Sequence, residues 1–489
     1  MIQAYATRMP SRFSWVWLSI VAVSLTPASL SAQVAPPPKD GTNPPAGTLK
    51  PDDAPPAQGE EVFVDPNAKK ALTVFNPLTF VGPPIKVGPS GDDRSKVQSM
   101  AGRATNLDPD FLKRYIEWFT VELTRRDNLN AILNPPPSLK PSDQAARGVE
   151  RAVDGLTKPI IDARANDNRE FLVTYERLLF ESKLPRLLEP DHNYLSRLDA
   201  MIVLGMAGNP TPVSLDLFIA QLKKPDQLVW VKLWAARGLS IAARGGEVDL
   251  DASRANQATE ALLTLLESDP KLPWPVQMRV LEALGSIRVS TANTSRSKID
   301  SAPVILKFLV DSEARLVVRA WAAWALGFIK APSSGTTYNF SLGGHEIGEL
   351  ASDLASQIVE EYDDDPVNFD KEKDQATHLT SLLLFQICPS LIGQEGVRDS
   401  GLLQNRAAAD ARPFLTKLDD KVKAVSRQAY ELMRAAGAGN KAARDDLDAK
   451  LADLKTFLAA SKPKDRRFIP GGPEIPAHPA REVAGAPGP

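Results

Sequence analysis

VRAWAAWALG, residues 318–327, places Trp321 and Trp324 three residues apart on a run whose one charged member is Arg319. Three other stretches align with it without a gap: SRLDAMIVLG (196–205), VKLWAARGLS (231–240) and VQMRVLEALG (276–285). Leu204, Leu239, Leu284 and Leu326 share one place, and Gly or Ser follows each. Near the start of each stands a polar residue able to pair: Arg197, Lys232, Gln277 or Arg319. These four residues are 35, 45 and 42 positions apart. Each of the last three stretches is preceded by a further amphipathic segment: TPVSLDLFIAQLKK, ANQATEALLTLLES or APVILKFLV. A recurring unit of this length, with two helical segments per unit, is the mark of stacked helix pairs.

Counting from the residue after the polar one, the third, fourth, sixth and seventh places are small or apolar in all four stretches. They hold Ala200 and Met201, Ala235 and Ala236, Val280 and Leu281, Ala322 and Ala323, then Val203–Leu204, Gly238–Leu239, Ala283–Leu284 and Ala325–Leu326. Places three and four apart form one stripe of a helix, the packed one. The second and fifth places differ: Asp199 and Ile202, Trp234 and Arg237, Arg279 and Glu282, Trp321 and Trp324. Unpaired charge is too costly in a core, so this second face is expected to be at least partly exposed. Two readings of it compete. Trp234, Arg237, Arg279, Glu282, Trp321 and Trp324 form a partner-binding strip, since Trp and Arg anchor interfaces. Alternatively, the extended strips at 62–64 or 72–81, or the insertion after Lys330, roof it over.

VRAWAAWALGFI and RVLEALGSIR resemble the second helix of a HEAT repeat: a basic residue, small apolar residues, then Ala-Leu-Gly. The resemblance is good over residues 191–330. THLTSLLLFQ and VSRQAYELMR fit as further second helices without the Ala-Leu-Gly ending. It implies an all-α, right-handed α-solenoid of HEAT-like helix pairs over 191–462, whose second helices line a concave side and bind other macromolecules. It implies no reaction, no cofactor and no particular partner.

The flanking regions are of other kinds. Arg8 and Arg12 precede the apolar run WVWLSIVAVSL (15–25), Pro27 and the small-residue segment ASLSAQ. Residues 1–32 therefore read as a secretory signal peptide cleaved after Ala32, which predicts a periplasmic or extracellular protein with no transmembrane segment after cleavage. Residues 33–92 are proline-dense, a linker carrying extended strips. Residues 93–190 read as an N-terminal helical region, in which DPDFLKRYIEWFTVELTRRDNLNAIL opens with Asp108 as cap and Pro109 at the first helical position. Residues 463–489 read as a disordered tail.

Chemistry is sparsely signalled. The 489 residues carry a formal net charge of -2 and no dominant basic stripe, so nucleic acid is not expected. Cys388 has no second cysteine to bridge and, at the end of an apolar run, reads as buried and inert. His192, His345, His378 and His478 are scattered. GGHEIGEL (343–350) lacks the second His of a zincin helix and reads as a turn leading into a helix. EEYDDDPVNFD (360–370) lacks the glycine and spacing of a calcium loop and reads as a solvated acidic loop. No catalytic or metal residues are assigned. The sequence thus points to an exported, non-enzymatic scaffold for protein–protein interaction. Alternatives are an envelope protein that binds polysaccharide or its own copies, and a HEAT-like enzyme of the lyase type.

Overall fold

The computed structural model describes residues 65–79, 89–102, 106–134, 147–208, 210–244, 250–268, 271–293, 298–331, 338–369, 373–435 and 439–476. The expected signal peptide, the linker up to residue 64 and the last part of the tail lie outside the described residues. Among those described the fold is all-α, with one short antiparallel strand pair, β1 (Thr291–Asn293) and β2 (Lys298–Asp300). Among the described residues, those from 65 to 164 and from 168 to 476 form one unit by their internal contacts.

After a single helical turn at Ala68–Ala71 come α1 (Gly91–Gly102), α2 (Pro109–Glu122), α3 (Arg126–Leu133), α4 (Gly148–Ala165) and α5 (Arg169–Glu181). The start of α2 follows the sequence rule: the Asp108 side chain accepts the Phe111 N–H at 3.0 Å and Pro109 takes the first helical position, where its missing N–H costs nothing. Leu112, Ile116 and Phe119 of α2 are buried, as are Phe171 and Tyr175 of α5, which packs against it.

The aligned stretches become α6 (Tyr194–Ala207), α8 (Val229–Arg244), α10 (Trp274–Ile287) and α12 (Leu316–Phe328). The segments between them become α7 (Pro212–Lys223), α9 (Ala252–Ser268) and α11 (Ser301–Val310). Each of α7, α9 and α11 packs against the second helix that follows it, and α6, α8, α10 and α12 pack in succession, an order compatible with an α-solenoid. The small and apolar stripe is the core: every residue at the third, fourth and seventh places is buried.

The place after the shared leucine explains its Gly-or-Ser preference. A Cβ on Gly205 would lie 2.6 Å from the Trp234 carbonyl oxygen, one on Gly285 2.4 Å from the Trp324 ring, and one on Gly327 2.3 Å from the Ser390 carbonyl oxygen. Here the next helix comes too close for a side chain. In α8 the place holds Ser240, whose hydroxyl lies 3.0 Å from that of Ser286. The polar residues at the start have a role too. Arg319 donates from Nε to the Leu309 carbonyl at 3.0 Å and pairs with Asp353 at 2.9 Å, and Gln277 donates to the Leu272 carbonyl at 2.8 Å. They satisfy carbonyls ahead of the second helix that would otherwise be buried without partners.

Beyond α12 come α13 (Phe340–Asp364) and α14 (Asp374–Leu382), the latter continued by a π-helical turn (Leu383–Ile387) into α15 (Cys388–Ile392), then α16 (Arg412–Arg434) and α17 (Gly439–Ala460). The π turn and α15 pack on α12, so THLTSLLLFQ does extend the row, while VSRQAYELMR lies in α16, which packs on α13 and α17.

Several expectations need correction. Gly343, Gly344 and His345 are not in a turn; they lie buried inside α13. Their role is close approach: a Cβ on Gly344 would meet Leu415 at 2.4 Å, and one on Gly348 would meet Leu458 at 2.7 Å. Glu360–Asp364 are the end of α13 rather than loop, and Phe369 turns back onto Tyr362 with ring centroids 5.1 Å apart. Residues 463–476 are not a loose tail. Phe468 is buried against Tyr338, its carbonyl accepts the Asn339 N–H at 2.8 Å, and Arg466 pairs with Glu346 at 2.9 Å. The described part of the proline-dense segment is likewise pinned. Asp65 accepts the Val229 N–H at 2.8 Å, and Asn193 donates to the carbonyls of Leu72 and Val74. It lies along the starts of α6 and α8 and also meets Thr124, Arg126 and Lys183 in the first helical region.

Candidate functional site: an arginine–tryptophan face on the second helices

The second and fifth places of the repeat do share a face, but the fifth place is not exposed. Ile202, Arg237, Glu282 and Trp324 are 8%, 7%, 1% and 5% exposed, and Asp199 at the second place is also buried. The expectation that a place accepting charge must face water fails at Arg237 and Glu282 because these charges are paired across neighbouring helices. Arg237 of α8 donates to Glu282 Oε1 of α10. Arg279, one turn before Glu282, donates to its Oε2 at 2.5 Å, and Arg244 at the end of α8 lies 3.5 Å from Oε1. Three guanidiniums thus converge on one buried carboxylate. Burial pushes the Glu282 carboxyl up, but the attraction of Arg237, Arg279 and Arg244 outweighs it and holds the group down at about 2. Burial also lowers Arg237 to about 10 and lowers Arg244.

The cluster is tied into the packing on both sides. Arg244 donates from Nε to the Ser286 hydroxyl at 3.1 Å, and Ser286 donates to the Glu282 carbonyl at 2.8 Å. The Arg244 guanidinium lies 4.6 Å from the Trp324 ring centre and 5.7 Å from that of Trp321. It therefore reaches past α10 to the tryptophans of α12, and cation–π attraction holds it there. Trp324 packs on Gly285 and stacks on Phe328 at 4.3 Å, with Trp321 edge-on to it at 5.4 Å.

The six residues expected to form the strip therefore divide. Arg237, Glu282 and Trp324 are interior. Trp234, Arg279 and Trp321 are partly accessible. Arg244 is the residue the sequence comparison missed, and 34% of its side chain is accessible. It lies beyond the ten aligned positions, so a comparison confined to them had no place for it; an arginine in the last turn of α8 was the available signal.

The row's first helix carries a different arrangement. Asp199 of α6 is buried with no hydrogen-bond partner for Oδ2, and desolvation raises its carboxyl to about 7. Elsewhere, Cys388 sits 3.3 Å from the Ser426 hydroxyl, and burial pushes its thiol up, the setting of an unreactive thiol. Among the described residues no group of three or more His, Cys, Asp or Glu is placed to hold a metal ion, and no helix is long and apolar enough to cross a membrane.

No protein-family model, no curated protein and no solved structure shows a significant match to the chain.

Proposed function

We propose that this chain is an exported scaffold of HEAT-like helix pairs, forming a right-handed α-solenoid, that binds a protein partner across its second helices. The observation that carries the reading is the accessible surface made by Arg244, Arg279 and Trp321, drawn from three successive second helices. Its side chains are held in place from below by Glu282 and Trp324, so little conformational freedom is lost when a partner docks. Arg and Trp are the side chains that most often dominate such interfaces. Arg237, Glu282 and Trp324 then act as supports rather than as contacts.

A photo-crosslinking residue placed at position 321 should capture one discrete partner in a periplasmic or extracellular fraction. The same residue at Val367, which is 86% exposed, should not. Equal labelling from both positions, or none from 321, overturns the reading. Export is checked separately: amino-terminal sequencing of the native protein should begin near Gln33, and recovery of Met1 would contradict it.

A further inference from the structure

We propose that the groove between α14–α15 and the outer stripe of α16 binds a fatty acid, its chain laid over Leu384 and Tyr430 and its carboxylate at Arg427. The inference does not rest on the proposed function and concerns other residues. Its first ground is the shape of the groove. Cys388 donates its N–H to the Leu383 carbonyl, five residues back, so the chain makes one π-helical turn between α14 and α15. Pro389 in the first turn of α15 accounts for it: a proline has no N–H to give and crowds the carbonyl four residues back, which a wider turn relieves. Such turns are frequent at functional sites. Phe385 of this turn is left 41% exposed. Leu384, next to it, lines a cavity of about 310 Å³ together with Cys388, Lys423, Ser426, Arg427 and Tyr430. That volume stands at the lower end of the ~300–1,000 Å³ of small-molecule sites. Its walls are almost wholly carbon, so a ligand that is polar throughout would gain little there.

The second ground is the charge at the rim. Lys423, Arg427, Tyr430 and Arg434 follow one another at helical spacing and share one stripe of α16. Lys423 is neutralised by Asp419 at 2.6 Å. The Arg434 guanidinium lies 5.7 Å from the Tyr430 ring centre, at the end of the helix where a cation is favoured. Arg427 stands between them and is exposed. Among the described residues it forms no ion pair, either with Glu431 one turn on or with another carboxylate. Long cationic side chains lay their carbon stems on apolar surface and keep the charge at its edge. An apolar floor with an unpaired cation at its edge matches a molecule with an apolar chain and one anionic end. A fatty acid has both. A chain with a neutral head leaves Arg427 unused, and a small anion leaves the floor uncovered.

Cys388 is the only cysteine of the sequence and lines the groove, so its alkylation by iodoacetamide reports whether the groove is filled. The test uses the full chain with dodecanoate below its micellar concentration, and with dodecanol and acetate as the other arms. Dodecanoate should slow alkylation at a roughly tenfold lower concentration than dodecanol, the worth of one hydrogen bond to a charged group. Acetate should leave the rate unchanged. Arg427→Gln should remove most of the advantage of dodecanoate over dodecanol. Tyr430→Ala, at a side chain 44% exposed and so tolerated by the fold, should weaken both. Arg406→Gln, at another exposed arginine, should change neither. Unchanged alkylation in dodecanoate, equal potency of dodecanoate and dodecanol, or an undiminished advantage in Arg427→Gln overturns the inference. So does protection by acetate, which would make this a site for small anions. Faster alkylation in dodecanoate would mean that the amphiphile loosens the fold, and overturns it too. Protection present before any ligand is added and lost on dilution would place a second copy of the chain in the groove, with the same result.

Discussion

At the scale of single residues, two buried carboxylates have opposite fates because one has partners and the other does not. Glu282 has three guanidiniums around it and sits at about 2, below its ordinary 4.5. Asp199 has no partner for Oδ2 and is raised from 3.8 to about 7. The two signs follow from linkage. The depressed Glu282 stabilises the fold fully above about pH 4.5, and that contribution is lost as pH falls toward 2. The raised Asp199 works in reverse: the folded state keeps a proton that the unfolded chain releases, so stability falls as pH rises from about 4 to 7. Glu282→Gln should cost about 3–5 kcal/mol at neutral pH, since it strands guanidiniums inside the stack. Asp199→Asn should make the protein more stable than wild type at pH 8 and flatten the decline between pH 4 and 7. Denaturant unfolding at pH 3, 5 and 8 reads both effects. An Asp199→Asn variant weaker than wild type at pH 8 would show that the carboxylate has a partner after all.

At the scale of elements, the spacing of the second helices is set by what is missing after the shared leucine. Gly327 is the sharpest case, because the atom a new Cβ would meet belongs to the backbone of α15 and cannot rotate away. Gly327→Ala should therefore cost about 1–3 kcal/mol by forcing α12 and α15 apart. Gly102, at the end of α1, has nothing within 4 Å of a new Cβ, and Gly102→Ala should stay within about 0.5 kcal/mol. Thermal unfolding of the pair checks this; equal melting temperatures would mean that the helices are not in contact there. The same reasoning covers α13, where Gly344 and Gly348 let α16 and α17 approach. A Gly-Gly pair looks like a turn in a lone sequence because the cost of glycine in a helix is visible, while the neighbouring helices that offset it are not.

At the scale of the whole chain, what could be read from sequence was what repeats. The packed stripe was legible because Ala200, Ala235, Val280 and Ala322 occur in register, and periodicity reports burial directly. The face next to it was misread because Arg237 and Glu282, 45 positions apart, neutralise one another only once α8 lies against α10. Arg244 was missed for a related reason, since its partners Ser286 and Trp324 are on two other helices. The hairpin of β1 and β2 was overlooked although VSTANTSRSKID carries β-branched residues around a polar centre. Arg466, Arg467 and Phe468 fold back onto the start of α13, a long-range contact that proline-rich composition conceals. The row of second helices is closed at its fifth places and open at the second place of α12. The direct measurement is the unfolding free energy of Trp321→Ala beside that of Trp324→Ala. Trp324→Ala should lose about 3–5 kcal/mol, as for a large buried ring, and Trp321→Ala about 1 kcal/mol or less. Equal, large losses for both would mean that the chain itself covers Trp321, and would contradict it.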